Sequence, residues 1–161
     1  MSKINTFILQ GKESFSNSKL EQLNLDFNNS NNKSSTISSK EIYIVAAKSD
    51  DLNLDQLKNI LAADHPDDSF SFIVGPRSGT ISPWSSKTED IIKTVGILNI
   101  NRVAQFNSFT ISDFSIDNNL DLSMFYDRMT QSIYSDHEEC LAFLKTDPQR
   151  AVNIIDILSS E

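Results

Sequence analysis

The residues best suited to chemistry crowd into one stretch, Phe72 to Asp90, FIVGPRSGTISPWSSKTED. Arg77 and Lys87 supply cationic donors, and Thr80, Ser82, Ser85 and Ser86 supply hydroxyls, a set suited to a phosphate or a facing carboxylate. Pro76 and Pro83 fix their own φ and restrict the residues before them, so the loop between them is stiff. Gly79 is free to take a positive φ or to let another backbone come close. Ser86 with Glu89 three residues on fits a capping box that opens a helix, whose free N–H groups and partial positive charge suit an anion. Pro83 and Trp84 are the apolar anchors of the stretch, of the kind found at protein interfaces. A well-capped surface loop is the plainer reading of the same residues. It is not a P-loop, because neither Gly75 nor Gly79 leads into Gly-Lys-Ser/Thr.

A second group, His137, Glu138, Glu139 and Cys140, sets a thiol near an imidazole. A nucleophilic cysteine needs a base within reach and a lowered pKa, whereas acidic neighbours raise it. Cys140 is therefore expected to be a structural, partly buried residue, and a hydrolase built on it is the disfavoured reading. As the lone cysteine it excludes an internal disulfide and any multi-cysteine metal site. No catalytic and no metal-ligating residue is assigned. His65 precedes a proline in an acidic turn and is expected to be exposed.

The elements that must position these groups follow from composition and periodicity. A chain of 161 residues, 39% hydrophobic and 22% charged, is enough for one compact domain. The formal charge of -8 argues against a nucleic-acid partner. No apolar run approaches membrane-spanning length and the start lacks a secretory pattern, so a cytoplasmic location without a membrane partner is expected.

In chain order, Ile4 to Leu9 reads as a strand broken at Gly11. A helix follows, with Ser18 and Glu21 as a capping box and Leu20, Leu23 and Phe27 on one face. Asn28 to Ser39 is almost wholly polar and is expected to be a mobile loop. Ile42 to Ala47 reads as a central strand. Asn53 caps a helix with a stripe of Leu54, Leu57, Ile60 and Leu61. Phe70 to Val74 is the strand that feeds the Arg77 to Lys87 loop. Ile91, Ile92 and Val95 are expected to form the apolar face of the next helix, with Gly96 ending it. Ile100 to Ile111 reads as extended. Asp121 is expected to open a last helix carrying Leu122, Phe125, Met129 and Ile133 on one face, with Asp127 and Arg128 as a local surface pair. Leu141 to Leu144 and Ala151 to Leu158 are short apolar pieces.

The string Gly75-Pro-Arg-Ser-Gly-Thr-Ile-Ser-Pro-Trp-Ser-Ser-Lys-Thr-Glu-Asp-Ile91 resembles the signature near the N-terminus of the large, single-chain phosphoribosylformylglycinamidine synthases, glutamine-dependent ligases of purine biosynthesis. Ser78 and Thr88 depart from the Pro and Ala usual there. Tyr126-Asp-Arg-Met-Thr-Gln131 is similar to a second family string, and Ile8-Leu-Gln-Gly11 more weakly to the opening strand. Arg102-Val-Ala-Gln-Phe106 stands where the family carries a more charged, glycine-containing turn.

The resemblance implies a single PurS-like N-terminal domain over residues 1–161, with 145–161 leading toward a linker and the synthetase domain. The fold it implies agrees with the periodicity: an α+β domain of two successive βαβα units, helices packed on one face of a small sheet. The implied reaction is the ATP-dependent amidation of formylglycinamide ribonucleotide with ammonia from glutamine. ATP and Mg are implied for the full enzyme, and no cofactor for this segment, which is expected to be inactive alone. Its implied partners are the synthetase and glutaminase domains. The substrate-proximal or interface loop is expected to comprise Arg77, Gly79, Thr80, Ser82, Pro83, Trp84, Ser85, Ser86 and Lys87. A free-standing PurS-like small-anion-binding or interaction protein is the alternative.

Overall fold

The computed structural model describes residues 4–48, 52–67, 69–115 and 119–141. The expected lead-in at 145–161 and the apolar piece Ala151 to Leu158 lie outside the described residues. The elements run β1 (Asn5–Gln10), α1 (Asn17–Asn31), β2 (Ile37–Ala47), α2 (Leu54–Leu61), β3 (Phe72–Pro76), α3 (Pro83–Thr94), β4 (Ile100–Ile111), a 3-10 turn (Ser123–Phe125), β5 (Gln131–Tyr134) and α4 (His137–Cys140). The five strands form one sheet in the order β1-β2-β4-β3-β5, every adjacent pair antiparallel.

The α+β class expected from periodicity holds, and its organisation follows from the alternation of side chains along β2 and β4. One face carries Tyr43, Val45, Val103, Phe109 and Ile111; the other carries Ile42, Ile44, Ala104 and Phe106. The units β1-α1-β2 and β3-α3-β4 meet at the antiparallel β2/β4 pair, and each long helix packs on strands of both units. Leu23 and Phe27 of α1 pack on Phe72, Val74 and Phe109, while Ile92 of α3 packs on Leu9, Val45 and Val103. The helices α1, α2 and α3 share that face. The opposite face takes Cys140 of the short α4, with Phe70 and Leu141.

Several expectations are corrected by side-chain hydrogen bonds, local and long-range, that composition does not reveal. The segment 28–39 is not a mobile loop: α1 continues to Asn31 and β2 begins at Ile37. Its asparagines satisfy the backbone that composition alone leaves open. Asn28 exchanges hydrogen bonds with the backbone of Ser35, donating to its carbonyl at 3.0 Å and accepting from its N–H at 2.9 Å. Asn32 takes the left-handed cap at φ 54. Asn31 donates to Asp121 O at 3.0 Å and accepts from Asp121 N at 2.7 Å, which ties the helix end to a loop ninety positions away. The cap of α1 is Ser16, accepting from Lys19 N at 3.3 Å, in place of the expected Ser18.

The helix expected from Asp121 is replaced by a 3-10 turn and strand β5. The Asp127 carboxylate accepts from Met129 N at 2.8 Å and from Thr130 Oγ1 at 3.2 Å, and Gln131 Oε1 accepts from Asp127 N at 3.0 Å. These side-chain bonds compete with helix closure. Gln131 to Tyr134 can then pair with Pro76 to Ile73. Phe125 is buried as expected, but Met129 is 81% exposed. In α3 only Ile92 of the expected apolar trio is buried; Ile91 and Val95 are about half exposed. Other local signals hold. Asn53 caps α2 by accepting from Gln56 N at 3.1 Å, and Gly96, at φ 102, follows α3.

Candidate functional site

The stretch between β3 and α3 begins where β3 runs out at Pro76. Arg77 N donates to Thr130 O at 3.1 Å, and Tyr134 Oη donates to Pro76 O at 2.5 Å, so the loop is pinned to the β5 turn at its root. Thr80 closes it, its N–H and its hydroxyl both donating to Arg77 O at 3.1 and 2.7 Å. That turn requires a left-handed residue, which Gly79 supplies at φ 83 with open space around its Cα.

The helix starts earlier than the expected Ser86. Ser82 is the cap, accepting from Ser85 N at 3.1 Å, because Pro83 is preset for the first helical position. Ser86 N donates to Ser82 O at 3.3 Å. Of the N–H groups that an anion would need, that of Ser85 is thus already engaged by Ser82, and Pro83 has none to offer. Glu89 does not reach back to close a box; its Oε1 accepts from Val103 N at 3.0 Å. Ser85 is 3% exposed and donates its hydroxyl to the Val103 carbonyl. Together they satisfy the edge of β4 where it extends past the β3 pairing that covers Phe109 to Asn107.

Trp84 is half-buried, stacked on Tyr43 with ring centroids 5.6 Å apart and 19° between planes. Arg77, Gly79, Thr80, Pro83, Ser86 and Lys87 are exposed, and Ser82 is half-buried. Of the nine residues singled out in the sequence, Ser85 is the buried one, turned to the sheet.

Sequence reasoning missed the neighbours of this loop. Pro76, Thr80, Ile81, Ser82 and Pro83 form one wall of a cleft of about 380 Å³, and Met129, Thr130 and Gln131 form the other. Ile81 and Met129 flank it at 63% and 81% exposure. Met129 escaped notice because helical spacing placed it in the core; the available signal was that it sits in the second family-like string.

The thiol cluster is chemically quiet. Cys140 is fully buried, and burial, with Asp136 and Glu139 adding to it, pushes its thiol up to about 12. His137 lies against Phe70, ring centroids 4.8 Å apart. Among the described residues no group of three or more His, Cys, Asp or Glu is placed to hold a metal, and no helix is long and apolar enough to cross a membrane.

The two strings that wall the cleft lie about fifty positions apart in the chain, and both fall inside one family match. The family described as formylglycinamide ribonucleotide amidotransferase N-terminal matches residues 40–143. The chain belongs to that family. Membership connects this amidotransferase domain with purine biosynthesis, and an N-terminal domain of a multidomain enzyme has partner domains in that enzyme. The match runs from Lys40 within β2 through α4, so the cleft and all of α3 lie in the portion that defines the amidotransferase N-terminal family.

Proposed function

We propose that this domain serves formylglycinamide ribonucleotide amidotransferase as a non-catalytic docking element that presents the Arg77 to Lys87 loop to the synthetase domain. In this reading ATP, Mg and the glutaminase chemistry belong to other parts of the enzyme, which works in the cytoplasm. The domain completes the wall of the synthetase site and helps to close the ammonia path.

The observation that supports this best is the cleft between the Pro76 to Pro83 wall and the Met129 to Gln131 wall, with Ile81 and Met129 left in water. Large apolar side chains at a rigid, concave site are what an interface core requires. Arg77 and Lys87 stand exposed on the same loop-helix junction, where they can meet a carboxylate or phosphate at the rim. The alternative of a free-standing anion binder is less well supported, because Ser82 already engages the Ser85 N–H and Pro83 at the first helical position has none.

The test is reconstitution. The amidotransferase lacking this domain is mixed with the 161-residue chain, and glutamine-dependent amidation is assayed. Activity is expected to depend on the added chain, with Met129→Asp and Ile81→Asp weakening association at least tenfold and Lys87→Ala lowering turnover with little effect on association. Full activity of the truncated enzyme without the chain overturns the reading.

A further inference from the structure

We propose that the sheet face opposite the three helices is the seat of residues 142–161 of this same chain, which cross β1, β2 and β4 as its second apolar layer. The inference does not rest on the docking reading above. Side chains alternate along a strand, so Ile8 of β1, Ile42, Ile44 and Ala46 of β2, and Ala104 and Phe106 of β4 share this face. The register sets Ile44 between Ile8 and Ala104, and Ile42 beside Phe106. All six are apolar.

Ile42, Ile44, Ala46, Ala104 and Phe106 are at most 4% exposed. A strand buried on both faces needs a layer over each. On the helical face that layer is α1, α2 and α3. On this face, the described residues that pack on the cluster from outside the sheet are Phe70, Cys140 and Leu141. The short α4 lies over β3 and β5. In the order β1-β2-β4-β3-β5, Ile44 and Ala46 of β2 stand two strands beyond β3, a distance of about 10 Å. A four-residue helix and two further side chains are too little to keep water from them as well.

The cover must be apolar, and the chain supplies it next. Leu141 already packs on this cluster, and residues 142–161 follow it directly. Asp147 before Pro148 is a helix-opening pair, a capping carboxylate and a residue preset for the first helical position. From there Ala151, Ile154, Ile155 and Leu158 recur at i, i+3, i+4 and i+7, while Asn153 and Asp156 fall on the other side. A helix over 148–158 would measure about 16 Å, against about 14 Å across three strands. The stretch from Leu141 to Asp147 reaches about 20 Å when extended, enough to pass from β3 to β1. Being tethered, this segment meets the face at a local concentration that a separate partner does not reach. The family match ends at residue 143, before the apolar piece begins.

The test uses the 161-residue chain and the complete amidotransferase. Each carries a benzophenone amino acid in place of Ile155 or, in a separate preparation, in place of Asn153. Illumination is expected to join position 155 to residues 6–8, 42–46 or 102–106 of the same chain in both proteins, and to join position 153 to none of them. Dimers cross-linked through position 155 make a second copy the cover, and capture by residues outside 1–161 in the complete enzyme makes another domain the cover; either overturns the proposal. Absence of any capture on this face overturns it too. Where a benzophenone variant fails to fold, point substitutions decide. Ile155→Asp is expected to move the unfolding equilibrium about tenfold or more toward the unfolded chain and to raise the binding of an apolar dye, whereas Asn153→Asp adds the same charge and leaves both unchanged. Equal behaviour of the two variants overturns the seat.

Discussion

Val103 shows how single residues in the family-like string serve the fold before they serve any partner. Its carbonyl accepts from Ser85 and its N–H donates to Glu89, so one turn of α3 replaces a missing strand at the edge of β4. Ser85→Ala leaves a buried carbonyl without its partner and is expected to cost about 1–3 kcal/mol in chemical denaturation. The exposed neighbour Ser86→Ala should change stability by less than about 0.5 kcal/mol. Both hydroxyls sit in the same sequence context; only burial separates them. Alkaline titration provides a second residue-level prediction. The Cys140 thiol is pushed up from 9.0 to about 12 by burial, Asp136 and Glu139, and the Tyr43 phenol is raised by burial and by its 2.5 Å hydrogen bond to Glu41. Below pH 9 the thiol is protonated in both folded and unfolded chains and contributes no pH dependence. Between pH 9 and about 12 the unfolded thiol ionises and the buried one does not, so stability falls as pH rises, by about 1.4 kcal/mol per pH unit for the group. Denaturation midpoints measured across this window should show the slope, and Cys140→Ala should reduce it by one proton equivalent. In the same window the native thiol should react with a thiol reagent only as fast as the protein opens.

Among the elements, those with periodic and capping signals were legible in the sequence and those built on individual side-chain hydrogen bonds were not. The Leu54 to Leu61 stripe, the Asn53 cap and the glycine after α3 are all set within a few residues, and each appears where periodicity and capping put it. The asparagine-rich segment and β5 were misread for a common reason. Side-chain hydrogen bonds that composition does not reveal build both: Asn28 bonds Ser35 and Asn31 bonds Asp121, while Asp127 and Gln131 bond within their own turn. The strand β3 carries the sharpest element-level prediction. A Cβ at Gly75 would lie 1.9 Å from the Phe106 ring, which is fully buried. Gly75→Ala must therefore displace Phe106 from the core between β3 and α4, at an expected cost of about 1–3 kcal/mol or more by thermal or chemical unfolding. Gly79→Ala meets nothing within 4 Å and pays only for its φ of 83, about 1 kcal/mol. Equal losses for the two variants would contradict this close-approach account of β3.

For the whole molecule, charge and apolar exposure act against each other. A formal charge of -8 keeps copies apart, while Ile81, Leu98 and Met129 remain more than 60% exposed. Lowering the pH from 7 toward about 5 begins to neutralise the carboxylates, and light scattering of the 161-residue chain should then report growing self-association. Met129→Asp should suppress much of it; an unchanged response would mean that the cleft is not the adhesive surface. By itself the sequence determined the α+β class, most helix positions and the family, because these depend on residue type and on neighbours within about one turn. The tertiary structure alone decided that Ser82 and not Ser86 opens α3, that Ser85 and Glu89 face Val103, and that Met129 meets Ile81 across a cleft. Each of these depends on which strand edge or helix end arrives from a distant part of the chain, and such long-range pairing leaves no periodic trace in the residues that wait for it.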